Sequence, residues 1–464
     1  MQKDAGEAWK NNNTITDYNS ISLQYRIKRK ELKQINIGDY VLNIGQGLVF
    51  WNGFALGKTL QFGEEKKGKI ISSYHGADEF NFMRGAAIKL KHKKIYLTPF
   101  YSTKKLDATV TNNKINTIRT SGRHLSEGEI NNRNNVNENI IGTSLGMKSK
   151  NLSLGIYTSY WHYSLPFDYE DPSKKSLSNN QKQFKSGTHW NYKFAKHQWF
   201  GEYSIDDSFR SAWISGLRLN VTSNLRWTIS ARNYTSGFKS HYANSFGEKN
   251  YTSNERGFYN AIKWQPSSSV YFRAYYDVFT FPAFSYNIKA PTLGNDIFVE
   301  IGKKLASAKV YLRLKYEVKK EEIQKKIIRC RAHYEQQINH FTLHYRLETS
   351  IYNHQFGWLI FQDIKTSYRG LTTTLRVAYF NTPDFNTAIY AYQPNVLYAF
   401  QSLAYADAGS QILLMLGKRL GQHLKCWLQL SHVVYFDKNQ VGSGDFQTLG
   451  QHRTFANFQL QYLL

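Results

Sequence analysis

The first spacing that could do chemistry is Gly45-Gln46-Gly47, where two glycines would let backbone amides close on an anion as phosphate-binding loops do. A phosphate loop needs an amphipathic helix to follow, and none is written after Gly47, so a tight turn is the better reading. Ser159, His162 and Ser164 sit close together, yet no Gly-x-Ser-x-Gly elbow accompanies them. His340 and His344 share a strand face about 13 Å apart, too far to share one metal ion directly. Asp168, Glu170 and Asp171 offer oxygen ligands for calcium, against which a solvated acidic loop tip is favoured. Arg226-Trp227 and Arg232-Asn233-Tyr234 interleave bases with aromatics, but alternating parity on a strand separates Arg226 from Trp227, so they form no stacking platform. No catalytic, cofactor or metal site is expected, and the chain does not read as an enzyme.

The elements that must carry these residues are strands. Val310, Leu312, Leu314, Tyr316 and Val318 alternate with Tyr311, Arg313, Lys315 and Glu317, and Phe341, Leu343, Tyr345, Leu347 and Ile351 alternate with Thr342, His344, Arg346, Glu348 and Ser350. Successive side chains point to opposite faces, so one face is apolar and the other charged. The pattern recurs at 225–232, 272–278 and 371–379. Many such runs last about 10 to 14 residues, longer than typical soluble strands and enough to cross a bilayer when tilted. Short turns are expected near 148–151, 195–197, 220–224, 265–269, 304–308, 336–339, 368–370 and 419–422. Longer polar loops are expected between them, at 108–139, 168–185, 237–254, 282–295 and 437–452, which places tight turns at one rim and long loops at the other. The expected fold is all-β: a transmembrane antiparallel up-and-down β-barrel of roughly 18–22 strands over 21–464, after a lead-in segment 1–20.

Composition agrees. Aromatic residues make up 16% of the 464 residues while the hydrophobic fraction is 41%, and mean hydropathy is −0.54. A barrel wall needs apolar residues only at alternate positions and adds aromatic girdles, which gives that combination. No run approaches the roughly 18 consecutive apolar residues of a spanning helix. The start, Met1 to Glu7, carries no secretory signal, so an upstream precursor segment is expected. Cys330 and Cys426 are too few for a disulfide framework and fall at apolar parity, where a small hydrophobe is the default.

Lys and Arg total 60 against 34 Asp and Glu, a net charge of +26. Such a field favours phosphate-rich partners, either lipopolysaccharide or nucleic acid, or simply marks a basic lumen and basic loops. The expected pore-lining residues are Arg226, Arg232, Arg273, Arg313, Lys315, Arg329, Arg331, Arg346 and Arg376. The glycine-bearing stretch 46–76 is too irregular for a strand and is the candidate luminal plug or constriction, with Gly45, Gln46, Gly47, Trp51, Lys58, Glu79 and Arg84 as its marked residues. Lys66, Lys67 and Lys69 accompany them.

The run Ile37-Gly38-Asp39-Tyr40-Val41-Leu42-Asn43-Ile44-Gly45-Gln46-Gly47-Leu48-Val49-Phe50-Trp51 resembles a feature of Bacteroidetes outer-membrane proteins of the helix-hairpin-helix family. Tyr74 to Ala87, with Glu79 followed by Arg84-Gly85-Ala86, is similar to a second element of those proteins, and Asp4-Ala5-Gly6-Glu7 to the segment leading into their barrel. The resemblance implies an outer-membrane barrel and covers its first quarter most clearly. Family members carry helical hairpins similar to the competence DNA receptor ahead of the barrel, whereas the matching residues of this chain all fall in the barrel or its lead-in. Two functions are therefore expected: an outer-membrane channel or transport component biased towards anionic solutes, or a barrel partner in DNA uptake or a larger envelope assembly that docks rather than conducts.

Overall fold

The structure is a computed structural model that describes residues 18–27, 31–55, 57–169, 177–249, 251–284, 291–320, 324–442 and 447–462. The lead-in Asp4 to Glu7 and the loop residues Glu170 and Asp171 lie outside that set. The described strands form one 22-stranded sheet and three small two-stranded ones. Two compact units divide the chain, Met1–Ala261 with Asp277–Gly294, and Ile262–Tyr276 with Asn295–Leu464.

In the first unit, Ser22–Arg26, Leu32–Leu42, Met83–His92, Ile95–Leu106, Val136–Lys148, Leu152–Tyr163, Lys182–Phe194, His197–Asp206, Ser211–Asn220 and Leu225–Tyr234 each pair antiparallel with the next. In the second, Ala308–Lys320, Gln324–Ile338, Phe341–Tyr352, Gln355–Tyr368, Leu371–Thr382, Asp407–Leu420, Leu424–Tyr435 and His452–Tyr462 do the same. The alternation read from sequence is the alternation of exposure. Leu312, Leu314, Tyr345, Leu347, Val377 and Tyr379 are exposed, whereas Glu348, Ser350 and Arg376 are buried. Water-soluble sheets bury the apolar face and expose the polar one; here the rows are reversed, as they must be when the outer face meets lipid and backbone groups are satisfied between strands. The fold class is that of transmembrane, antiparallel up-and-down β-barrels of the outer-membrane type.

Each expected tight turn falls between paired strands, for example 148–152, 194–197, 338–341 and 368–371. The expected contrast between rims is incomplete. At the ends that carry long loops, 207–210 and 353–354 are also short. Asn353 and His354 both take positive φ (46° and 64°), the geometry of a two-residue hairpin turn, so no longer connection is needed there.

The lipid-facing assignment has a direct consequence. Leu314 lies midway along Ala308–Lys320 and is 45% exposed. Leu314→Arg is expected to cost about 2–4 kcal/mol in unfolding from lipid vesicles, as charge near the bilayer midplane does, and clearly more than Leu314→Ala. Equal losses would remove this face from the lipid.

Candidate functional site: the polar face and the segment seated on it

The segment that leaves Leu32–Leu42 does not cross the sheet again but packs on the polar face of the first unit. Gly45 and Gly47 take φ of +58° and +83°, a left-handed turn that glycine allows without strain. This turn does hold an acidic group, and the group is the chain's own. Glu202, fully buried in His197–Asp206, accepts from the amide of Gln46 and from the amide of Leu48 at 3.3 Å, while the Tyr157 hydroxyl donates to its other oxygen at 2.6 Å. A Cβ at Gly45 would stand 2.5 Å from the Glu202 carboxylate. The phosphate-loop geometry of Gly45-Gln46-Gly47 therefore serves docking of the chain on its own wall.

Beyond the turn, Phe50 is fully buried, stacked on Trp161 at 5.5 Å and edge-on to Phe100 at 5.3 Å. The loop after Leu225–Tyr234 folds back to meet it, although polar composition suggested a rim loop. The Trp51 amide donates to the Tyr242 carbonyl at 2.7 Å, Ser240 donates to the Val49 carbonyl at 2.8 Å, and the Asn244 amide donates to the Gly47 carbonyl at 3.0 Å. Tyr242 stacks between Phe80 and Trp161. Polar clamps continue along the segment. Lys58 pairs with Glu248 at 2.5 Å and Asp277 at 3.0 Å, Glu64 with Arg226 at 2.9 Å, and Glu65 accepts from Gln198 at 2.6 Å. Lys66 donates to the Asn244 carbonyl and lies over the Trp51 ring at 4.8 Å, while Lys67 and Lys69 are exposed. Glu79 and Arg84 line a separate cavity of about 210 Å³ with Lys104. Arg84 forms a two-pronged pair with Asp39 at 2.6 and 2.9 Å.

The nine cations expected to line a basic lumen all carry a carboxylate partner. In the first unit Arg232, with its side chain 1% exposed, bridges Glu255 at 2.6 Å and Asp277 at 2.9 Å, besides the Arg226 to Glu64 pair. In the second unit Arg273 and Arg313 converge on Glu300, Lys315 and Arg329 on Glu317, and Arg331 and Arg346 on Glu348. Lys315 also reaches Asp296 at 3.3 Å, and Arg376 holds Asp363 at 2.6 and 2.8 Å. Asp277, Glu317 and Glu348 stood at polar parity in the sequence, yet cross-strand register decides which cation each meets. The polar face is thus a ladder of ion pairs with a much smaller net field than a row of free bases.

Other sequence candidates separate. Ser159 is buried, donates to the Lys185 carbonyl and accepts from Trp161, whereas His162 has the opposite parity on the same strand. The Ser164 hydroxyl accepts from the Asn137 amide. Asp168 pairs with Lys114 at 2.9 Å. Cys330 and Cys426 are free thiols, the former exposed on the apolar face.

Burial pushes the Lys66 ammonium down to about 7, against the attraction of Glu202. Lys66 lies in the segment, outside the spanning strands. The seated segment therefore binds fewer protons than a released one between about pH 7 and the ordinary lysine value of 10.5. The contribution of Lys66 to seating grows as pH rises through that window and does not change below it. Release of the segment, read as amide exchange at residues 44–51 relative to the intrinsic rate, should become rarer from pH 7.5 to 9.5, and Lys66→Met should flatten that response; an unchanged response would remove Lys66 from the clamp.

No protein-family model and no curated protein matches the chain. Among solved structures it is similar to a chain of the FpvAI–pyocin S2 complex, with 10% identity over 82% of this chain and 65% of that one and a TM-score of 0.44. It is similar to Acinetobacter baumannii OccAB3, with 9% identity, 80% and 98% coverage and a TM-score of 0.35. It is similar also to the copper transporter OprC, with 9% identity, 82% and 71% coverage and a TM-score of 0.37. The chain spans 65% of the length of the first of these.

Proposed function

We propose that the chain is a bacterial outer-membrane transport barrel whose aqueous path is closed by its own segment 44–66, and that small polar or anionic solutes pass when that segment moves. The observation that carries this reading is the capture of the Gln46 and Leu48 amides by buried Glu202, which seats the segment on the polar face instead of leaving it at a rim. Outer-membrane lipid and lipopolysaccharide are the surroundings that the exposed apolar rows and basic loops suit. The docking alternative, in DNA uptake or a larger envelope assembly, draws only on net charge and the helix-hairpin-helix resemblance. It predicts salt-sensitive DNA binding by the purified chain.

The paired cations set the expected selectivity. In planar bilayers with a salt gradient the wild-type chain should show only weak anion preference, because each marked base has a carboxylate beside it, two arginines sharing one at Glu300 and at Glu348. Changing Glu300 and Glu348 to Gln together frees Arg273, Arg313, Arg331 and Arg346, and should shift the reversal potential distinctly towards anions. A chain that conducts with no shift would place these pairs off the path, and one that never conducts, even with residues 46–66 replaced by a short linker, would overturn the channel reading.

A further inference from the structure

We propose that His333, Glu335 and His344 form a binding site for one divalent transition ion of the zinc class. One nitrogen of each histidine and one carboxylate oxygen of Glu335 lie within 4.8 Å of one another. The arrangement follows from strand register. His333 and Glu335 stand two apart on Gln324–Ile338 and share a face, Glu335 pairs directly with His344 on Phe341–Tyr352, and His344 pairs directly with Asp363 on Gln355–Tyr368. A row Glu335, His344, Asp363 thus crosses three neighbouring strands, with His333 diagonal to it. All four residues belong to the second unit.

The imidazole of His344 carries the argument. Its Nε2 is 2.9 Å from a Glu335 oxygen and its Nδ1 is 3.5 Å from an Asp363 oxygen. A neutral imidazole has one N–H, so one of its nitrogens would turn a lone pair towards a carboxylate. A positive charge between Nε2 and Glu335, either a proton or a metal ion, removes that conflict. The Nε2 of His333 is 3.9 Å from the same Glu335 oxygen, so a metal ion there gains a third ligand while a proton gains little.

Spacing and support suit an ion. A tetrahedral ion with bonds of about 2.0–2.1 Å keeps its ligands roughly 3.3 Å apart, which small side-chain rotations reach from the present separations. Asp363 holds the far nitrogen of His344, and Arg376 clamps Asp363 in turn, a carboxylate–histidine–metal relay of the kind that fixes ligand orientation. Tyr311 stacks flat on His333 at 4.6 Å. Lys309 and Arg346 also face His333, and Arg346 is tied to Glu348. Two imidazoles and one carboxylate select zinc, copper or nickel over magnesium or calcium. Three protein ligands leave a fourth position for water or an incoming ligand. The site stands four residues from the tight turn after Ile338, at the short-turn end of its strands. The inference does not depend on whether solutes cross the barrel.

The test is a Zn²⁺ titration of the full chain, purified in detergent without a polyhistidine tag, in competition with a chromophoric chelator. One Zn²⁺ per chain is expected, unaffected by millimolar Mg²⁺. His333→Asn and His344→Asn should each weaken binding more than about tenfold, while His340→Asn, in the adjoining turn, should not. Co²⁺ should give the intense visible bands of a four-coordinate ion in the wild type and lose them in His344→Asn. Retained heat-modifiable gel mobility keeps each variant interpretable as a folded barrel. No stoichiometric Zn²⁺ in the wild type, or equal affinity in the His333→Asn/His344→Asn double variant, would overturn the site.

Discussion

Glu202→Ala is expected to raise the frequency of channel opening by at least tenfold. Three donors, the Gln46 and Leu48 amides and the Tyr157 hydroxyl, lose their acceptor in a buried place. Leaving a buried donor unsatisfied costs about 1–3 kcal/mol each, and each 1.4 kcal/mol is a factor of ten in an equilibrium. Glu202→Gln keeps one acceptor oxygen of two, so it should fall between alanine and wild type. Phe50→Ala attacks the same seat by another route. It empties the space between Trp161 and Phe100 and should cost about 3–5 kcal/mol of docking. Amide exchange at residues 44–51 should accelerate in both variants while exchange in the wall strands stays slow. Identical exchange in wild type and both variants would show that these contacts do not hold the segment.

The second large effect concerns the wall. Arg232→Met removes the only guanidinium that bridges Glu255 and Asp277 among the described residues, all three side chains being at most 1% exposed. Breaking a buried pair by deleting one partner typically costs about 3–5 kcal/mol, because the remaining charge is left without compensation. Urea midpoints in vesicles should fall accordingly. Adding Glu255→Gln to Arg232→Met should recover part of the loss, since Asp277 keeps Lys58 at 3.0 Å and no uncompensated carboxylate remains. A double variant no more stable than Arg232→Met would assign the cost to packing and not to charge.

Strand direction, face assignment and most turn positions were legible because they are local. A period of two fixes which side of the sheet Arg313 or Leu314 occupies without knowledge of any partner. Partners are not local. Glu300 meets Arg273 and Arg313 from two neighbouring strands, and His333, Glu335, His344 and Asp363 converge through register across three strands, a relation that no spacing along one strand encodes. Spacing along a single strand reaches only His340 and His344, which stand too far apart to share one ion.

The inward-folded loops were missed for a different reason, and a signal for them was present. Trp358, Leu359, Ile360 and Phe361 are apolar on both parities, and Ala378 and Phe380 lie at the polar parity of their strand. There the hairpin Ile389–Gln393 with Gln401–Tyr405 covers the polar face, burying Leu359, Phe361, Phe380, Ile389 and Tyr405 together. Tyr157 and Trp161 break the alternation in the same way against Phe50 and Tyr242, and Tyr163 does so against Phe167. In a barrel wall, aromatic residues at polar parity mark where something apolar is seated on the polar face, and they coincide here with the seat of segment 44–66 and with the hairpin Ile389–Gln393 with Gln401–Tyr405.

The most direct measurement compares single-channel conductance of the intact chain with that of a chain in which residues 46–66 are replaced by a short Gly-Ser linker, both reconstituted in planar bilayers. A closed or flickering intact barrel and a steadily open, large-conductance replacement are predicted. Equal conductance in the two, with both barrels folded, would contradict closure by this segment.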